Sequence, residues 1–202
     1  MSIQKPGVFQ YFFWLLVLMA CKPKFHYGKF SLEQIEKFRI EFKLPATDSY
    51  VLDSSYLPYL LSLEGSVDSG LIKNHYQPLQ AMYFNQKGDL VSFHVNCYAG
   101  LGVKDRQPLN WNQNNAFNKF VPNTVAPLDT LFKFGDLVKY INGFDGQKID
   151  TIGLSGERNV IVVFWSKSIL ENDARSLIEL VQKNSKEAKA KIIYVNTDNM
   201  LR

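Results

Sequence analysis

Apolar residues run without a charge from Val8 to Ala20, and beyond them the spacing of apolar positions changes repeatedly, each change marking an element. Ser31-Leu32-Glu33-Gln34 has the form of a capping box, in which the Ser31 hydroxyl and the Gln34 amide satisfy free groups at a helix start. Ile35, Phe38 and Phe42 then follow on one helical face until Pro45 stops it. Ser49-Tyr50-Val51-Leu52 reads as a short strand, and Asp53 is placed to cap a second helix carrying Leu57, Leu60 and Leu61, closed by Gly65. After a polar connection come two apolar-rich arms, residues 77–84 and 89–98, on either side of Asn85-Gln86-Lys87-Gly88. This predicts a hairpin in which Gly88 takes the positive φ of the turn. Its second arm alternates Val91, Phe93, Val95 and Cys97 against Ser92, His94 and Asn96, so Cys97 is expected on the core face.

Residues 99–127 have neither period and are rich in asparagine: Asn110, Asn112, Asn114, Asn115, Asn118 and Asn123, with Trp111, Phe117 and Phe120 among them. They predict a loop longer than compact domains usually tolerate. Leu131, Phe134, Val138 and Ile141 return to helical spacing across Gly135, predicting a helix over 130–142 stopped by Asn142-Gly143. Asn159 to Trp165 is an apolar run suited to a strand covered on both faces. A capping box at Ser168 and Glu171, a stripe of Ala174, Leu177, Ile178 and Val181, and a second buried strand at Lys191–Asn196 complete a βαβ unit with parallel strands. The fold class expected is α/β with a mixed sheet.

The opening run is too short to span a bilayer comfortably and follows a lone Lys5, which marks a secretory signal. Leu18-Met19-Ala20-Cys21 resembles the bacterial lipoprotein lipobox. That resemblance implies cleavage before Cys21, diacylation of its thiol by palmitate-type chains, acylation of the new amino terminus, and an extracytoplasmic place in the cell envelope with the membrane as partner. An ordinary signal peptide with an incidental cysteine is the alternative. The organisation expected is a signal peptide at 1–20, a tether at 21–30 and an α/β domain over 31–202.

Composition narrows the function further. Removing residues 1–20 takes only Lys5 from 23 basic residues set against 19 acidic ones. The remaining excess is dispersed and contains no basic block, which argues against a nucleic-acid partner. The chain has two cysteines. With Cys21 assigned to lipid, Cys97 has no intramolecular partner and disulfide scaffolding is excluded. Aromatic residues at 14%, including ten Tyr and fifteen Phe, exclude a disordered domain.

Gly153-Leu154-Ser155-Gly156, the strand ending Val163-Phe164-Trp165-Ser166, the following helix and Ile193-Tyr194-Val195-Asn196-Thr197-Asp198 resemble the opening of a thioredoxin-like domain of the membrane-anchored, extracytoplasmic kind. In that family two cysteines separated by two residues open the helix after Phe-Trp, where the helix dipole favours thiolate. Those positions fall on Ile169 and Asn172, so dithiol exchange does not carry over. The family continues with a proline-led hairpin and a last helix, and here similar pieces lie upstream, at Gln77-Pro78 with its hairpin and at 130–142. The resemblance therefore implies thioredoxin-like elements in circularly permuted order. Strand 160–165 would be central, parallel to 191–196 and antiparallel to the first hairpin arm. Tyr83 and Phe84 would lie beside Val162 and Val163, and the Gln77–Pro78 bond would be cis. A mixed sheet without kinship is the competing reading.

Classical enzyme signatures are absent from the sequence, and no cofactor is implied. Cys97 is the one candidate nucleophile, although its alternation partners predict burial. His94, three residues away, would point to the opposite face. His26, His75 and His94 lack the short spacing of metal ligands, so no metal site is expected. Of Asp53, Asp68 and Asp89, two are better explained as a cap and a turn residue. In the asparagine-rich loop, amides and the faces of Trp111, Phe117 and Phe120 could grip a sugar or peptide, or the rings could fold the loop onto the sheet. The reading favoured is a redox-inactive binding or scaffolding module with a protein or glycan partner. The alternatives are a single-thiol oxidoreductase using Cys97 and a glycan or peptide binder using residues 107–121.

Overall fold

A computed structural model describes residues 29–99, 108–149, 158–186 and 188–200. The lipobox, Cys21, His26 and Gly153-Leu154-Ser155-Gly156 lie outside these residues. The capping box at Ser31 forms with both of its hydrogen bonds and starts α1 (Leu32–Glu41), which ends before Pro45. Strand β1 (Ser49–Leu52) leads to α2 (Tyr56–Ser62), whose buried residues are Tyr56 and Leu60, while Leu61 is exposed. Asp53 does not cap α2 directly. Its carboxylate instead accepts from the Ser55 N–H and hydroxyl, from Asn142 and from Lys148, tying the helix start to a neighbouring strand. The polar connection hides a further helix, α3 (Ser69–His75), capped by Asp68 through the N–H groups of Gly70 and Leu71.

The hairpin forms as β2 (Gln80–Phe84) and β3 (Leu90–Val95), turning through Gly88 at φ +77°. The helix expected over 130–142 shrinks to α4 (Phe134–Leu137) and a 3-10 turn, after which Ile141–Asn142 form β4 against β1. Pairing with Val51 and Leu52 overrides the helical spacing of Ile141. The βαβ unit consists of β5 (Val160–Trp165), α5 (Glu171–Ser185) and β6 (Lys191–Asn196).

The sheet order is β3-β2-β5-β6-β1-β4. Strand β5 is central, parallel to β6 and antiparallel to β2, as expected from its uninterrupted apolar run. The register differs from expectation: Met82 pairs with Val162 and Ala81 with Val163, so Tyr83 and Phe84 lie beside Ile161 and Val160. Strands β2 and β5 are buried at every position, so no polar alternation marks how they align.

Helices cover both faces. Tyr56 and Leu60 of α2 pack with Phe132, Leu137, Phe164 and Val195 on one side. Leu177, Ile178 and Val181 of α5 pack with Phe42, Trp111, Val163 and Trp165 on the other. The outer edge of β3 is occupied too, because Val125 and Ala126 donate their N–H groups to Phe93 O and Thr124 Oγ1 accepts from Phe93 N. That covering blunts an edge that could otherwise pair with another chain. Among the described residues no helix is long and apolar enough to cross a membrane.

Candidate functional site at the carboxyl edge of the sheet

Trp165 and Asn196 end the two parallel strands opposite one another, which brings the segments following β5 and β6 side by side. Open parallel sheets bind ligands at this edge, and it is where the sequence resemblance places a dithiol. Here it holds a polar staple. Asp198, 1% exposed, accepts from Ser166 Oγ at 2.6 Å, Ser168 Oγ at 2.5 Å, Ser168 N at 2.8 Å, Lys167 N at 3.1 Å and Asn196 Nδ2 at 2.7 Å. Burial pushes its pKa up, but those hydrogen bonds outweigh burial and leave it below the ordinary value. A carboxylate saturated with donors stays ionised without being free to take a proton, so Asp198 fastens two loops together and is a poor general base.

The loop after β5 is shaped by this staple. Ser168 is spent on Asp198, so the capping box expected with Glu171 does not form; Ile169 N donates to Ser166 Oγ, and α5 begins after Leu170 at φ +55°. Above the loop, Lys167 pairs with Glu41 and Glu171, and Arg175 pairs with Glu171. Phe42 packs on Trp165 with centroids 4.7 Å apart, and the Arg175 guanidinium lies 4.0 Å from the Phe42 ring. The end of α1 therefore sits over the position at which a family dithiol would work.

Pro78 does reach this edge, since Thr197 Oγ1 lies 2.8 Å from Pro78 O and 3.1 Å from Trp165 O. The Gln77–Pro78 bond is trans, because the cis peptide among the described residues is Phe120–Val121. Beside the staple, Leu32, Ile35, Leu57, Pro58 and Met200 line a crevice. Phe30 is fixed at its rim by two hydrogen bonds to the Asn199 amide, at 2.8 and 2.9 Å.

Cys97 is not on the core face. Strand β3 stops at Val95, and a 3-10 turn over Asn96–Tyr98 rotates the thiol outward, leaving the residue exposed. The residue as a whole is accessible, but its sulfur is partly shielded beside Asn74 Oδ1 at 3.7 Å. Burial of the sulfur pushes the thiol pKa up, which lowers the thiolate fraction at neutral pH. His94 is buried between Tyr83 and Phe117, and burial pushes it down to about 4, so it is neutral and stands apart from Cys97.

His75 is also buried and meets Asp129 Oδ2 at 2.9 Å, a clasp between α3 and the segment leading to α4. Asp53, Asp68 and Asp89 are each taken up by structural partners: Asp53 joins Ser55 to Asn142 and Lys148, Asp68 caps α3, and Asp89 bonds Asn85 in the hairpin turn and pairs with Lys133. Among the described residues no group of three potential ligands could hold a metal ion.

The asparagine-rich segment straps along α5. Leu109 N and Trp111 Nε1 donate to Asp173 at the start of the helix, at 2.7 and 3.0 Å. Asn184 at its end donates to Phe117 O and Lys119 O, at 2.9 and 2.8 Å. Trp111 is 2% and Phe117 6% exposed, so both rings fold inward, while Phe120 remains half-buried at the rim. Asn112 Oδ1 accepts from Phe117 N, and Asn114 and Asn115 supply left-handed backbone at φ +52° and +59°. Compared with known families, curated proteins and solved structures, the chain matches none, and its functional reading rests on its own residues.

Proposed function

We propose that this chain is a lipid-anchored protein of the bacterial cell envelope, on its extracytoplasmic side. Its thioredoxin-like domain, in circularly permuted order, binds or scaffolds a partner and carries out no dithiol exchange. The observation that carries the second part is the carboxyl edge itself. Ile169 and Asn172 stand where two thiols would be needed, Asp198 staples their loop, and α1 lies across it. Strand order β6-β5-β2-β3 and the arrival of Pro78 beside Trp165 support the kinship. The trans Gln77–Pro78 bond is a departure from it.

The anchor reading rests on Leu18-Met19-Ala20-Cys21. One acyl chain binds a bilayer marginally, whereas the three implied by lipobox processing hold a domain firmly. Cys21→Ser should leave the protein either released from membranes or unprocessed with its signal attached, as read by fractionation and mass of the intact chain. Mature, membrane-bound Cys21→Ser protein removes the basis of the anchor.

A further inference from the structure

A groove lies between the strap and the last turns of α5, at the opposite edge of the sheet from the staple. Lys119 and Phe120 of the strap face Leu180, Lys183 and Lys186 from the helix, with Asn118 beside them, and none of the described residues lining it is acidic. We propose that this groove binds an acidic saccharide, one whose sugar rings carry carboxylates. The inference rests on the binding-module reading and uses other residues than the carboxyl edge.

Three observations carry it. Lys37, Lys133, Lys139, Lys148, Lys167 and Lys191 pair with carboxylates, whereas Lys29, Lys43, Lys73, Lys87 and Lys189 make no ion pair among the described residues, so the mark of this groove is the convergence of three lysines on it. Lys119, Lys183 and Lys186 are exposed and make no ion pair among the described residues. A lysine in the last turn of a helix complements its dipole, which accounts for Lys183 but not for Lys119 on a separate segment. Second, the groove is built before any ligand arrives: Asn184 clamps both strap carbonyls and accepts from Tyr83 OH at 3.3 Å.

Third, the chemistry of the lining matches a charged sugar. The half-buried Phe120 brings its ring to the groove, ammonium groups match carboxylates, and of the lining amides Asn184 and Asn112 are spent within the protein while Asn118 brings its N–H groups to match hydroxyls. A peptide adding as a strand is excluded at the outer edge of β3, which segment 124–126 covers, and poly-glutamate tests the remaining modes of acidic-peptide binding. Phe30, where the described chain begins to pack, is held by Asn199 at the carboxyl edge, and the groove lies at the opposite edge; the phosphatidylglycerol vesicles decide whether a headgroup is the ligand.

The test uses the full chain in detergent with polygalacturonate as probe, and dextran, poly-glutamate and phosphatidylglycerol vesicles beside it. Polygalacturonate should bind, weakening as salt rises, while dextran does not. Lys119→Gln/Lys183→Gln/Lys186→Gln should weaken it at least about tenfold with an unchanged melting temperature, since all three side chains are exposed. Phe120→Tyr should retain binding and Phe120→Leu, which keeps bulk without a ring face, should lose several-fold. Absence of binding, or binding indifferent to the triple substitution, overturns the proposal. Tighter binding of poly-glutamate or of the vesicles overturns the saccharide assignment. Fractionation of Cys21→Ser reads the anchor independently, so failure of one is distinguishable from failure of the other.

Discussion

Asp198→Ala should destabilise the domain by about 3–5 kcal/mol, measured by urea unfolding at pH 7. The substitution removes a buried charge together with the acceptor for five donors, and leaves Ser166, Ser168, Asn196 and two backbone N–H groups to find other partners. Because the folded pKa of Asp198 lies below its ordinary value, its carboxylate contributes stability at pH values above about 4, where the unfolded chain is also ionised. That contribution is lost as pH falls through the folded value. The stability of Asp198→Ala should therefore fall less steeply than wild type below about pH 4. Equal stability of the two proteins at pH 7 would mean that the staple does not form.

Trp111→Ala should cost about 3–5 kcal/mol by the same measurement, from a large side chain removed out of a filled layer. The indole packs between the sheet and α5, and its N–H is used by Asp173 O. Trp111→Phe should recover most of the loss and leave about 1 kcal/mol for the missing hydrogen bond. A ring serving a ligand at the surface would instead leave stability unchanged on truncation. The result therefore decides between the two roles that the asparagine-rich segment could have had.

Much of the architecture was legible in the chain because local signals and tertiary demand agreed. The Ser31 capping box, the Gly88 turn and the two unbroken apolar runs of the βαβ unit all form where their spacing placed them. The misplacements share a cause, which is that tertiary partners outvoted local pattern. Cys97 continues the alternation of β3 on paper, yet the ladder ends at Val95 and the next turn aims the thiol outward. Ile141 keeps helical spacing with Val138 and is nevertheless drawn into a strand by β1. Ser168 has the makings of a cap and is taken by a carboxylate thirty residues away. The supposed polar face of β3 is buried, Ser92 and His94 included, because the strap covers that side as well.

The staple had a readable signal that was missed. Two parallel strands ending in Trp165-Ser166-Lys167-Ser168 and Asn196-Thr197-Asp198 must place their polar ends side by side, and one acid among hydroxyls and amides is then a natural hub. The groove beside Phe120 was half legible, since residues 107–121 stood out as a possible ligand loop, but its lysine partners on α5 are set beside Lys119 by Asn184 gripping the strap.

A binding role for the domain requires that no dithiol chemistry occur at the carboxyl edge. Disulfide reduction there requires an attacking thiolate and a second thiol to resolve the mixed disulfide. If Cys21 is acylated, as proposed, Cys97 is the single remaining thiol, and burial of its sulfur holds its pKa up. The purified full chain should therefore catalyse dithiothreitol-driven insulin reduction no faster than the uncatalysed background. Turnover above background that disappears in Cys97→Ala would contradict the account and make this chain a single-thiol oxidoreductase.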